Sequence, residues 1–147
     1  MTSVRDPSRE PDRKHLAEAR RLITSCTADM HDAGSIADAV ESMCGKVTDH
    51  LEPLIGGQAA RALLARAVYL SRPRFPLLNP VSTAEVDIAS VARETALQLR
   101  RAEAAQALEV ATAVFGYFVW LLTRFIGEDL GPRLLREACP DLGEEQQ

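Results

Sequence analysis

Histidines, cysteines and paired acids are the side chains that most often carry catalysis or hold metal, and this chain has few of them in useful arrangements. His15, His31 and His50 are the only histidines. His31 and Asp32, like Asp49 and His50, are sequence neighbours, so on a helix their side chains diverge by about 100° and neither pair forms an acid–base site unaided. A Ser or Cys nucleophile needs a base within hydrogen-bond reach, and no G-x-S-x-G elbow is present. The H-E-x-x-H motif and the paired E-x-x-H of di-iron bundles are absent too. Cys26, Cys44 and Cys139 are odd in number, widely spaced and without a Cys-x-x-Cys, so neither a disulfide framework nor a zinc site is expected. Neither phosphate-binding glycine motif occurs. Gly56-Gly57 reads as a helix end before it reads as an anion cradle. These residues predict no catalysis, no cofactor and no metal site.

Charge and aromatic character are distributed more informatively. Between Glu52 and Glu85 there is no acid, while Arg61, Arg66, Arg72 and Arg74 all fall in that interval. Guanidinium groups fork onto carboxylates, so these four are the candidates for an anion- or partner-binding surface, set against simple pairing with acids elsewhere in the fold. The net charge of −4 argues against nucleic acid as the main partner, because duplex binding needs a concentrated basic face. Five of the seven aromatic residues are Phe115, Tyr117, Phe118, Trp120 and Phe125. They make their helix apolar on nearly every side. Either the other helices surround it, or a side bearing Tyr117 and Trp120 forms a homodimer or partner interface, or a small ligand sits beside Phe115 and Phe118.

Positioning these residues falls to helices, since apolar spacings of three and four recur and no sustained period-two alternation is found. At 147 residues, 46% hydrophobic and 26% charged, the composition is that of one soluble domain. The expected helices span about 11–30, 35–53, 58–71, 82–99, 103–126 and 129–138, with Ser35 opening the second and a Ser82–Glu85 capping box opening the fourth. Residues 71–81, rich in proline, form the connection between two halves. Residues 1–10 and 142–147 are expected as tails around a single domain at 11–141.

The two halves resemble one another. At an offset of 71, Ile55, Gly56, Leu63, Leu64 and Ala67 fall on Ile126, Gly127, Leu134, Leu135 and Ala138, and Gly45 falls on Gly116. A three-helix unit used twice, 11–70 and 82–141, predicts an all-α bundle of about six helices with a pseudo-twofold axis. A mid-helix glycine costs about 1 kcal/mol relative to alanine, so Gly45 and Gly116 are expected where the second and fifth helices cross closely.

The N-terminus lacks the apolar core of a signal peptide, and the uncharged run Val110–Thr123 is shorter than a bilayer span, which predicts a cytoplasmic protein without a membrane segment. The preference for Arg and Ala over Lys suggests a bacterial source. Together these features favour a non-catalytic bacterial interaction or regulatory module, a homodimer that presents helical surfaces to a protein partner. The alternative is a small-molecule-sensing helical protein with an apolar pocket near the fifth helix.

Overall fold

The computed structural model describes residues 11, 13–83, 87–127, 129, 133 and 137. Within them the protein is all-helical. Five helices follow in order: α1 (Arg13–Cys26), α2 (Ala33–Ile55), α3 (Gly57–Ser71), α4 (Ile88–Arg100) and α5 (Ala104–Ile126), with a short 3-10 turn at Pro76–Leu78. No strand occurs among the described residues.

Each helix follows from its apolar stripe and its ends. On α1, Ala19, Leu22 and Ile23 are buried at spacings of three and one, while Arg13, Lys14, Arg20 and Arg21 face water. Asp32 caps α2, its carboxylate accepting from the Ser35 amide at 3.2 Å, so the helix starts before Ser35 instead of at it. Pro53 lies inside the last turn of α2 and does not end it. The helix ends at Gly56, whose φ of +88° suits a residue without a side chain and whose amide donates to the Glu52 carbonyl at 2.9 Å. The end of α5 repeats this: Gly127 has φ +103° and its amide donates to the Thr123 carbonyl at 2.7 Å.

The fourth helix begins later than the expected capping box. Asp87 is its cap, accepting from the Ser90 amide at 2.8 Å, while the Ser82 amide donates to Glu94 at 2.8 Å. Residues 84–86, including Glu85 of that box, lie outside the described residues. The first helix also stops earlier than expected, at Cys26, and Ala33 and Gly34 belong to the start of α2. Arg133 and Glu137 are helical and pair at 3.8 Å across one turn. Asp129, where the expected sixth helix would start, is in a turn; the remainder of that helix, and both expected tails, lie outside the described residues.

One apolar core runs through all five helices. Phe115 and Phe118 on α5 meet edge to face at its centre, their ring centroids 6.3 Å apart. The helices interleave: α1 packs chiefly on α5, α4 chiefly on α2, and α3 bridges to α5, while α2 and α5 touch directly. Arg100 at the end of α4 is tied to the start of α2, 2.6 Å from Asp38 and 3.7 Å from Glu41. By length and composition α5 is the one helix among the described residues that could cross a membrane, and most of it is buried within the protein.

At neither mid-helix glycine do α2 and α5 supply the atoms nearest to where a Cβ would stand. Each is the thirteenth residue of a 23-residue helix, yet their surroundings differ. A Cβ on Gly116 would lie 2.6 Å from Leu16 Cδ2 and 3.7 Å from Leu16 Cα, so this glycine admits α1 against α5. A Cβ on Gly45 would meet nothing within 4 Å. Gly45 is exposed, and no close approach explains it.

Candidate functional site

The four arginines singled out in the sequence do not form one patch. Arg66, Tyr69 and Arg72 follow one another at intervals of three along α3, which puts them on one face. Both guanidinium groups lie over the Tyr69 ring, with Arg66 Cζ 5.8 Å and Arg72 Cζ 5.7 Å from its centroid. Tyr69 is 51% exposed, among the most exposed large hydrophobic side chains described. Arg72 also has a structural task, donating to the Val81 carbonyl and so fastening the end of α3 to the end of the proline-rich connection. Arg74 lies over Phe75, 5.4 Å from its centroid, and Arg61 is half-buried near the start of α3, about 12 Å along the axis from Tyr69. Tyr69 is not among the residues that charge and aromatic clustering single out in the sequence. Its spacing from Arg66 and Arg72 was the signal that identifies it.

The aromatic residues of α5 divide in two. Phe115 and Phe118 are core, and the space they bound with Cys44, Val47, Leu64 and Ile88 is too narrow for a water molecule. Tyr117 and Trp120 are half-buried and meet edge to face at 6.1 Å, with Arg124 Cζ 5.2 Å from the Trp120 ring. Phe125, one turn on, is 57% exposed.

An open groove lies elsewhere, between α2 and α4. It has a volume of about 250 Å³, and Gly45, Cys44, Ile88, Ala89 and Ala92 form its apolar walls. Glu41, Asp49 and Arg93 stand around it. Thr48 also lines it, but its hydroxyl donates to the Cys44 carbonyl at 2.7 Å. The Cys44 thiol is pushed up to about 12 by burial, and secondarily by the Glu41 charge, so it stays protonated and unreactive at neutral pH.

The histidines are dispersed. His15 is on α1, His31 is on the turn before α2, where its amide donates to Asp29, and His50 is on α2 with Nδ1 3.1 Å from the Lys46 carbonyl. Among the described residues no group of three or more His, Cys, Asp or Glu is placed to hold a metal ion. No family model matches the chain, and no curated protein or solved structure gives a match.

Proposed function

We propose that this protein is a non-catalytic interaction module whose partner-binding edge is the end of α3, centred on Tyr69 between Arg66 and Arg72. The observation that carries the reading is the exposed tyrosine under two guanidinium groups. Tyrosine and arginine are the residue types on which binding energy concentrates, because they combine a large apolar area with directed polar contacts. The two cations and the shortage of acids in residues 53–84 select a partner segment rich in Asp and Glu. The equal lengths of α2 and α5, their matched Ile-Gly ends and the interleaved packing support the finer architectural reading, a duplicated three-helix unit of which α1–α3 is the first copy. A homodimer is the expected assembly, which native mass spectrometry tests directly.

The edge is tested by fluorescence anisotropy with a labelled glutamate-rich peptide and its lysine-rich counterpart. The acidic peptide should bind, weaken at least tenfold on Arg66→Glu and weaken severalfold on Tyr69→Ala, with little binding of the basic one. Equal binding of both peptides, or indifference to both substitutions, would sink the reading. Arg72 is unsuitable as the test because its bond to Val81 makes it part of the fold.

A further inference from the structure

We infer that the groove between α2 and α4 is a binding site for a small branched aliphatic ammonium ion, a function separate from the Tyr69 edge. Its apolar part is specified by the walls: Gly45, Ala89 and Ala92 are small, Ile88 is aliphatic, and the polar groups at its base are already engaged or neutral. The Thr48 hydroxyl donates within its own helix, and the Cys44 thiol holds its proton. A ligand group placed there gains from shedding water and has no hydrogen bond to satisfy.

The protein contains a guide to the shape of that group. On α5 the place equivalent to Gly45 is Gly116, and there the branched side chain of Leu16 lies against the glycine. On α2 nothing approaches within 4 Å of a Cβ built at Gly45. A leucine-like isobutyl group therefore matches what the glycine of α5 already accommodates. In the offset that superposes the two glycines, the position of Leu16 is taken by Asp87, which is occupied in capping α4 and receives the Ser90 amide.

The charge on the ligand follows from the surroundings of the groove. Glu41 and Asp49 stand on the α2 side, against Arg93 on the α4 side. Arg93 leans toward the start of its own helix, with Nη2 3.4 Å from Ser90 Oγ; hydrogen bonds from Ser90 chiefly, and the Arg93 charge in a smaller part, hold the Asp87 carboxyl low. Glu41 is shared with Arg100 at 3.7 Å, whereas Asp49 is exposed and in no ion pair among the described residues. With Arg100 and its other acid, Asp38, included, three carboxylates stand against two guanidinium groups, and Asp49 is the carboxylate free to meet a cation.

The test uses 3-methylbutylammonium, which is a leucine side chain extended by an aminomethyl group, titrated into the full ¹⁵N-labelled chain and followed by amide chemical shifts. The expected result is saturable shifts confined to Cys44, Gly45, Thr48, Ala89, Ala92 and their neighbours, with half-saturation on the order of millimolar, as suits so few non-hydrogen atoms. The carboxylate on the same alkyl stem, 4-methylpentanoate, should bind at least fivefold more weakly. Asp49→Asn should reduce the amine to the affinity of the neutral alcohol 3-methylbutanol. Gly45→Leu should abolish all three, and Ala89→Leu on the opposite wall serves the same purpose should the first variant fail to fold. Absence of saturable shifts, equal binding of carboxylate and ammonium, or shifts that persist in a folded blocking variant would overturn the proposal.

Discussion

The contact of α1 with α5 and the contact of α4 with α2 each involve a 23-residue helix with glycine as its thirteenth residue, yet one is closed at that glycine and the other open. At the closed contact Leu16 lies on Gly116, and Phe115 beside it fills the core. At the open contact a Cβ on Gly45 would meet nothing within 4 Å, and the residue before this glycine is Cys44, against Phe115 before Gly116 on α5. The two glycines thus do opposite things. On α5 the glycine permits a close approach, and on α2 it leaves a volume unfilled. A small residue reports only that space was kept, and what fills the space is decided by a residue far away in sequence.

The largest expected asymmetry concerns the residues just before the glycines. Phe115→Ala should cost about 3–5 kcal/mol, the usual result of emptying a buried aromatic site, while Cys44→Ala should cost about 1 kcal/mol, typical of a modest core change. Chemical denaturation of both variants measures the difference, and similar losses would mean that the α2 side is as tightly filled as the α5 side. The glycines themselves should differ in sign. Gly45→Ala gains helix preference without a clash and should stabilise by up to about 1 kcal/mol. Gly116→Ala gains the same preference but displaces Leu16, and overpacking of that kind costs about 1–3 kcal/mol, so it should be neutral or destabilising. Two stabilised variants would erase the distinction.

Alkaline pH sharpens the comparison through Cys44. Its thiol is raised from an ordinary 9.0 to about 12 in the folded protein. The unfolded chain therefore releases this proton first, and the associated stability, intact below about pH 9, is lost as pH rises toward 12 at about 1.4 kcal/mol per unit. Cys44→Ala should fall less steeply than the parent over that window in denaturation series, and parallel curves would count against a thiol held in an apolar site. The smallest effect belongs to the Arg100–Asp38 pair, which is close at 2.6 Å but exposed on both sides. Arg100→Ala should cost no more than about 1 kcal/mol, and less at high salt.

Local residues made much of this fold readable and none of the groove. The limits of α3 and α5 follow from apolar spacing and the two Ile-Gly ends, and the structure places both helices within one residue of the sequence expectation. The starts of α2 and α4 were harder because both regions offer two caps, and the acid won over the serine each time: Asp32 over Ser35, and Asp87 over Ser82. Pro53 misled in the other direction, since a proline in a final turn removes one backbone donor without preventing the helix from finishing. Tyr69 was accessible to a count of three along α3. The groove was not, because nothing near Gly45 says that α4, more than forty residues away, will leave it uncovered.

The interleaving of the helices has a consequence for how the chain can be divided. Because α1 is supported mainly by α5 and α4 mainly by α2, each of these helices depends chiefly on a partner from the other side of the Pro76 connection. A cut in the connection around Pro76 would therefore yield two pieces that are poorly folded apart and regain helicity when mixed, so that complementation between fragments, titrated by circular dichroism, would measure the strength of that dependence.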